Sequence, residues 1–390
     1  MDGSTWLQAS LPVSIGGLGI RRTERIALPA FMASIHPVQA LVRSIYPGSD
    51  LDSLVNGGLD QWPLVTALRR RQRAWDLPMV TVEFGSLMDQ SDMTSKARLM
   101  AVSTKTSGTW LHALPVSSLG NLLDDNTLRI SFGLRLGSRL CQPHMCRCGE
   151  VVDQYGLHGL SCLKSAGRHS RHASLNESVR RALFSAQVPA VVEPLGRSRD
   201  DGLRPDGKTM IPWKNGEELA WDVTVVDTLA KSYVGKTSEI MGAAAEDAEE
   251  RNIQKYQGIA SQCLFVPLGF ETFGSWRPAA TELINAIGKK LVEAFIETSG
   301  DSKVMHQVFG KRLADHYCLK LYMWTFGNVR SAEKPFNPKA QDQPDMVEFE
   351  KADGTERHLW ISSETFKTAR QRVSDGRGLI YMLKTGAVYS

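Results

Sequence analysis

The sequence predicts an α+β protein in which a helical region precedes a unit of mixed helices and strands. Over about the first 140 residues, apolar side chains recur at helical spacing between prolines and glycines. A short segment rich in cysteine and histidine follows. From about residue 174 the apolar periodicity then predicts the order α, β, β, β, α, β, α.

The composition is that of a globular protein with room for two or three domains. The chain has 390 residues, of which 42% are hydrophobic and 23% charged, and its net charge of +4 permits a polyanionic partner without requiring one. The start, "MDGSTWLQASLPVSIGG", lacks the basic leader and apolar block of a signal peptide, and no apolar run reaches 18 residues. We therefore expect an intracellular protein without a membrane partner.

Residues 1–140 are assigned to the helical region. The stretch "RRTERIALPAFMASIHPVQALVRSIY" carries apolar residues at helical spacing but is interrupted by Pro29 and Pro37. Because proline removes a helical hydrogen bond, this pattern predicts short helices rather than one rod.

Residues 141–165 form a second region, which holds four of the six cysteines. Its spacing is Cys-x-Cys, nine residues, His, three residues, Cys, and a reducing compartment favours metal over disulfides for such a pattern. Zinc prefers four tetrahedral ligands of these types. The predicted ligands are Cys146, Cys148, His158 and Cys162.

Two alternatives to this ligand set stay open. A spacing of two residues is commoner than one between paired ligands, so Cys141 or His144 is a candidate to replace one of the four. Unliganded thiols are the other alternative.

Residues 166–305 contain the mixed unit, and residues 306–390 form an extension of unknown role with a linker-like start. A helix is predicted over 174–187, with Ser174 as its N-cap and Glu177 completing a capping box. A strand, "VPAVVEP", comes next. A hairpin over 206–228 turns at "NG", and a helix, a strand and a closing helix follow.

Two isolated carboxylates, Asp206 and Asp222, lie near the ends of the predicted hairpin. An ionised acid on an apolar strand costs several kcal/mol unless it meets a cation or strong donors. Paired acids of this kind hold Mg²⁺, which can activate a water and polarise a phosphate. This pattern predicts phosphodiester hydrolysis.

The register of the hairpin decides whether the two acids can share a metal. A two-residue turn at "NG" places Asp222 opposite Thr209 and Asp206 opposite Val225, so the acids lie on opposite faces. One bulge, at Gly207 or in the "KNGEE" turn, makes them diagonal neighbours on one face. We therefore predict a bulge or kink here.

Three further residues are candidate members of the catalytic site. Glu193, at the end of the preceding strand, is a candidate third acid, while Lys255 and Tyr256 can bring a cation and a hydroxyl from the next helix. Taken singly, Glu193 has the alternative role of a strand-end acid and Lys255 that of a solvated helix residue.

The stretch "GRHSRHASLN" interleaves arginine and histidine, which suits contacts to phosphates better than a second metal, because the arginines would repel a cation. An ordinary surface face is the alternative. The candidate nucleic-acid contacts are Arg168, His169, Arg171, His172 and Arg204.

These motifs together resemble a known family. "GRHSRHASLNESVRRAL", "GLRPDGKTMIPW", "LAWDVTVVDTLAKSY" and "IQKY", preceded by the cysteine and histidine segment, resemble the C-terminal part of a non-long-terminal-repeat retrotransposon polyprotein. In that part a zinc knuckle precedes a restriction-like endonuclease of the PD-(D/E)xK superfamily. "LPVSIGGLGIRRTERIALPAFMASI" is similar to the segment after the reverse transcriptase palm, and the resemblance covers roughly residues 7 to 300.

The resemblance implies a CCHC zinc knuckle with structural Zn²⁺ and a restriction-endonuclease-like αβββαβ core with catalytic Mg²⁺. Asp206 and Asp222 match the metal-binding acids, and Lys255 and Tyr256 match the family's helix lysine and tyrosine. The implied reaction nicks one target DNA strand in the nucleus to prime reverse transcription. The implied partners are DNA, element RNA and a reverse transcriptase in another chain.

Two departures from the family pattern keep other functions open. Thr224 occupies the lysine position of the acid-x-lysine pattern, and Lys255 from the helix would replace that cation. No Tyr/Phe-Ala-Asp-Asp is present, so we expect no reverse transcriptase activity from this chain. The alternatives are a nucleic-acid-binding module with an inert core and an inactive retrotransposon-derived relic.

Overall fold

The computed structural model describes residues 2–50, 53, 71–112, 122–162, 164, 166–194, 204–260, 262–299, 346–350 and 356–360. Within these residues the chain is a mixed helix and sheet protein, as the sequence predicts.

The described part of residues 1–140 is helical. Pro29 lies inside a helix, so the predicted break there is wrong, whereas Pro37 lies in the 3₁₀ turn His36–Val38 that separates two helices. The helices are α1 (Gly3–Ser10), α2 (Thr23–Ile35), α3 (Gln39–Ile45), α4 (Gln72–Asp89), α5 (Met93–Val102) and α6 (Asp125–Leu136).

The cysteine and histidine segment is small and does not form a separate core. It contains a two-stranded antiparallel ribbon, β1 (His144–Met145) with β2 (Val151–Val152), and one helical turn, α7 (His158–Ser161). Leu160 from this turn packs in one buried cluster with Leu134 of α6 and Phe273 from the mixed unit. The three predicted regions therefore share apolar packing.

The mixed unit has the predicted order α, β, β, β, α, β, α, with two short helices added. The sheet order is β3-β4-β5-β6, antiparallel except for the parallel β5 and β6 pair. The elements are α8 (Ala166–Ser185), β3 (Ala190–Val192), β4 (Gly207–Thr209), β5 (Leu219–Val226), α9 (Val234–Thr237), α10 (Ala243–Lys255), α11 (Gln257–Ala260), β6 (Leu264–Glu271) and α12 (Pro278–Ser299).

The predicted cap of α8 is wrong. The helix begins at Ala166, so Ser174 lies inside it, and the Ser174 carbonyl accepts a hydrogen bond from the Ser178 hydroxyl. Glu177 accepts hydrogen bonds from Arg180 and Arg181 instead of completing a capping box. These local pairs stabilise the part of α8 that follows Ser174.

The two faces of the sheet have different partners. Trp221 and Val223 of β5 belong to the main core with residues of α8 and α12, including Leu175 and Ile287. Because side chains alternate along a strand, Asp222 points to the other face, where α10 packs.

The hairpin contains a larger irregularity than the one predicted. At its tip Lys214 pairs with Glu217, as a two-residue turn requires, but at its base Lys208 pairs with Ala220 and Gly207 with Trp221. The first strand therefore carries extra residues between its base and tip, in the stretch "TMIPW". The prediction of a bulge or kink is confirmed, at a different position.

Gly207 is needed for close packing at the base of this hairpin. A Cβ there would lie 2.1 Å from the ring of Trp221, so any side chain would displace the indole. That indole donates a hydrogen bond from Nε1 to Asn176 Oδ1 of α8 at 3.0 Å.

A separate antiparallel ribbon, β7 (Met346–Glu350) with β8 (Glu356–Trp360), is all that the structure describes of the extension over 306–390.

Candidate functional site

Asp206 and Asp222 come together at the base of the hairpin. Asp206 lies in the bend just before Gly207, which pairs with Trp221, and its carboxylate accepts a hydrogen bond from the Val223 amide beside Asp222. Continuing this register by one residue places Asp206 opposite Asp222. Residues directly opposite in an antiparallel pair share a face and are closer than the predicted diagonal neighbours. We call these two residues the acid pair.

Asp206 is held by two donors. The Val223 amide donates to Asp206 Oδ2 at 2.7 Å, and His172 Nε2 of α8 lies 2.9 Å from the same oxygen. Burial alone would raise the pKa of Asp206, but the His172 and Val223 hydrogen bonds outweigh it and hold the pKa below its usual value. The hydrogen bond to Asp206 in turn raises the pKa of His172.

Asp222 is 6% exposed and meets three polar side chains of the α10 segment. The Tyr256 hydroxyl lies 2.7 Å from Asp222 Oδ1, Asn252 Nδ2 donates to Oδ2 at 2.8 Å, and Lys255 Nζ is 4.0 Å from Oδ1. Burial and then the charge of Asp206 raise the pKa of Asp222. A further positive charge at this position would relieve both effects.

The spacing on α10 explains why these side chains converge. Asn252 and Tyr256 continue the stripe of Ala245 and Ala248, which packs on the sheet. Polar residues on the buried stripe of a helix need partners, and Asp222 supplies one for each.

Sequence reasoning missed Asn252, and its position on this stripe is the signal that could have revealed it. The Asn252 amide nitrogen also lies 2.9 Å from Thr224 Oγ1. Thr224, which occupies the lysine position of the acid-x-lysine pattern, therefore belongs to the same hydrogen-bond network as Asp222.

Glu193 does not join the acid pair through its side chain. Its backbone N–H donates to the Asp206 carbonyl at 2.7 Å, yet its carboxylate is 69% exposed and pairs with Arg204. Its backbone lies in the left-handed region, with φ of 48°. Among the described residues, only the cysteine and histidine group brings three or more metal-ligating side chains within 4.8 Å of one another. Glu193 is therefore not a third metal ligand in this conformation.

The predicted nucleic-acid contacts occupy different environments. His172 pairs with Asp206, and Arg171 is 5% exposed and donates from Nη2 to the Leu160 carbonyl at 2.7 Å.

Arg204 pairs with Glu193, and its carbonyl lies 2.8 Å from the Tyr256 hydroxyl. The side chains of Arg168 and His169 lie outside the described residues. Contact of these five residues with nucleic acid stays a prediction.

The four predicted zinc ligands form one cluster. Cys146 Sγ is 3.7 Å from Cys162 Sγ, and Cys148 Sγ is 3.1 Å from His158 Nε2. Tetrahedral bonds of about 2.3 Å place neighbouring sulfur ligands about 3.8 Å apart, which agrees with the first distance. The group can therefore hold a metal such as zinc.

The alternative ligands are turned to other partners. Cys141 Sγ lies 3.1 Å from the Asp153 carbonyl, and His144 Nδ1 lies 2.9 Å from the Gln142 carbonyl. The cysteines within the described residues form no disulfide with one another. A hydrogen bond from the Cys148 amide lowers the pKa of Cys146, whereas burial raises the pKa of Cys162. A bound metal would favour the thiolate form of both. We call Cys146, Cys148, His158 and Cys162 the knuckle cluster.

Comparison with known proteins adds no relative. No family model matches the sequence, and no curated protein is similar enough to count as a homologue. The retrotransposon resemblance is therefore carried by the motifs quoted above.

One stretch, Thr23–Ile45, is long and apolar enough to cross a membrane by length and composition, and 11% of it is buried. The expectation of a protein without a membrane partner therefore stays a prediction. A single stretch near the N-terminus is weak evidence, because signal sequences and core helices pass the same test.

Proposed function

We propose that the chain is a Mg²⁺-dependent DNA endonuclease that nicks one strand of its target. The observation that carries this proposal is the acid pair, with Lys255 Nζ 4.0 Å from Asp222 Oδ1. Two adjacent carboxylates with a nearby ammonium are the groups that metal-assisted phosphodiester hydrolysis needs. The resemblance to retrotransposon endonucleases supports the same reaction.

The acid pair fits a hard divalent cation in its chemistry. Mg²⁺ prefers carboxylate oxygens, and it usually binds through one or two carboxylates together with substrate phosphates and waters. Burial and then the charge of Asp206 raise the pKa of Asp222, and a cation between the two acids would offset their repulsion. When bound, Mg²⁺ would activate a water and polarise the scissile phosphate.

Lys255 is assigned the role of stabilising charge on the phosphate. Its side chain is 37% exposed, and its ammonium lies 4.4 Å from the centre of the Tyr256 ring, which holds it beside the acid pair. From this position it supplies the cation that Thr224 cannot.

Three other side chains act as positioning residues. Tyr256 and Asn252 fix the two oxygens of Asp222, and His172 fixes Asp206. Such contacts hold the carboxylates in one geometry without touching the phosphate.

The knuckle cluster is assigned a structural zinc. Its ligands lie on two short turns, so one metal fixes the fold of the whole segment. The zinc knuckle and the basic residues of α8 would then help to hold DNA.

The test is nicking of supercoiled DNA with Mg²⁺ by the unmodified protein and by Asp222→Asn, which keeps the shape of the side chain. We expect the unmodified protein to nick and Asp222→Asn to be inactive. The matched control is Asp247→Asn, which removes a surface acid paired with Lys236 and should leave nicking unchanged. Nicking by Asp222→Asn at the unmodified rate would contradict the proposal.

A nucleic-acid-binding module with an inert core is the second candidate. It is favoured by the hydrogen bonds of His172, Asn252 and Tyr256, which satisfy acid-pair oxygens without a metal. This candidate predicts equal DNA affinity for the unmodified protein and Asp222→Asn, no nicking by either, and weaker binding after zinc chelation.

A further inference from the structure

A cleft of about 460 Å³ lies beside the acid pair, where the knuckle segment meets the sheet. Its volume falls within the range of about 300–1,000 Å³ that is typical of small-molecule sites. Two of its lining residues, His172 and Thr224, also belong to the hydrogen-bond network of the acid pair. A group that enters the cleft would therefore be a direct neighbour of the scissile phosphate.

The segment that carries the knuckle cluster supplies one wall of this cleft. Leu160 and Ser161 line it, and they lie in the chain between the ligands His158 and Cys162. Arg171 fastens this wall to α8 through its hydrogen bond to the Leu160 carbonyl. The shape of the cleft thus depends on the knuckle segment as well as on the sheet.

The lining chemistry favours a nucleobase over a phosphate. Leu160, Val225 and Tyr233 contribute apolar and aromatic side chains, while Arg171, His172 and Asp227 add two basic groups and one acid. Both basic groups already have partners, His172 in Asp206 and Arg171 in the Leu160 carbonyl, whereas the edge of a base carries donors and acceptors that suit a mixed lining.

The Tyr233 ring is held in a fixed position for such a contact. Its hydroxyl accepts a hydrogen bond from Arg251 Nη2 at 2.7 Å, and the Arg251 guanidinium lies 5.9 Å from the ring centre. A fixed aromatic ring suits stacking with a base of any sequence.

We propose that this cleft binds one unpaired nucleotide of the DNA, next to the phosphate that is cut. This inference rests on the proposed function, because the acid pair defines where that phosphate lies. A base inside a duplex is stacked and cannot reach the cleft. A base that leaves the stack loses its pairing and stacking, and an aromatic contact returns only part of that loss.

DNA that already contains an unpaired nucleotide does not incur this cost. Such DNA should bind about tenfold more tightly than the matching duplex, which corresponds to about 1.4 kcal/mol. Binding, rather than cleavage, is the direct measure of the cleft.

The experiment compares two labelled duplexes that differ only by one unpaired nucleotide, using fluorescence anisotropy with the full chain. Ala230→Trp fills the cleft from its lining, and Ser232→Trp adds the same side chain at an exposed neighbouring position as the matched control. Tyr233→Leu keeps apolar surface but removes the ring. Thermal unfolding of each variant checks that it is folded.

We expect the tenfold preference in the unmodified protein and in Ser232→Trp, its loss in Ala230→Trp, and a preference of about twofold to threefold in Tyr233→Leu. Equal affinity of the unmodified protein for both duplexes overturns the inference. A full tenfold preference in folded Ala230→Trp also overturns it. If Ala230→Trp does not fold, a full preference in folded Tyr233→Leu overturns it instead.

The same proteins separate this inference from the proposed function. A preference for the unpaired nucleotide without Mg²⁺-dependent nicking would support the nucleotide site and contradict the proposed nuclease function. Nicking without that preference would support the nuclease function and contradict the nucleotide site.

Discussion

The knuckle cluster and the acid pair are both built from metal-ligating side chains, but they are assembled in different ways. The four cluster ligands come from one short stretch, and turns within that stretch bring their atoms within 4.8 Å. The acid pair joins Asp222 of β5 to Asp206, which directly precedes β4, and depends on donors from α8 and α10. A site of the first kind depends on local spacing, whereas a site of the second kind depends on the whole sheet.

The largest effect is expected at Lys255, beside the acid pair. Lys255→Met should lower the nicking rate by about 10³-fold, because the loss of one preorganised group that stabilises transition-state charge has an effect of this size. The measurement is the initial rate of nicking at saturating Mg²⁺. Lys236→Met, a change of the same type on the surface, is the control and should retain the full rate. A normal rate for Lys255→Met would remove the lysine from the site.

The knuckle cluster should respond in stability. Cys162→Ser removes a ligand that is 6% exposed, and we expect it to lower the free energy of unfolding by about 3 kcal/mol in the zinc-loaded protein. Urea unfolding with and without a chelator measures this change. Cys141→Ser should unfold like the unmodified protein, because Cys141 lies outside the cluster. Equal losses for both cysteines would place the metal elsewhere.

The helix that carries the acid-pair donors has its own pH response. Burial raises the pKa of Glu249 to about 7, while its Oε1 accepts a hydrogen bond from the Gly269 amide at 3.2 Å. The folded protein therefore holds this proton more tightly than the unfolded chain, and stability falls as the pH rises from about 5 to about 7.

Glu249→Gln removes that loss. Urea unfolding measures the free energy of unfolding of both proteins. The difference between Glu249→Gln and the unmodified protein should shift by about 2 kcal/mol in favour of the variant between about pH 5 and about pH 8. The exposed neighbour Glu250 gives a matched control, since Glu250→Gln should follow the unmodified protein at both pH values. Parallel pH profiles for Glu249→Gln and the unmodified protein would show that Glu249 titrates normally.

The smallest effect is expected from a single positioning contact. Tyr256→Phe keeps the ring packed on Phe265 but removes the hydroxyl near Asp222 Oδ1. We expect about a tenfold lower nicking rate and a loss of stability of about 1 kcal/mol, as for one buried hydrogen bond. A change in KM for Mg²⁺ larger than the change in kcat would place the effect on the metal-binding oxygens; an unchanged rate would limit the hydroxyl to a structural role.

This difference in assembly also explains what could be predicted from the sequence. The knuckle ligands and the order of elements follow from local spacing and periodicity, and both agree with the structure. The hairpin register depends on the extra residues around Pro212, whose number no local rule provides. Asn252 was not predicted, because its hydrogen bond to Asp222 depends on how α10 packs against the sheet.

The shared packing of Leu134, Leu160 and Phe273 affects how this chain can be dissected. A fragment that began at residue 166 would leave Phe273, which is fully buried in the intact chain, facing water. It would also lose Leu160, whose carbonyl anchors Arg171. Any shortened version meant to act alone should therefore start upstream of α5, because Ala101 and Val102 of that helix belong to the same buried cluster.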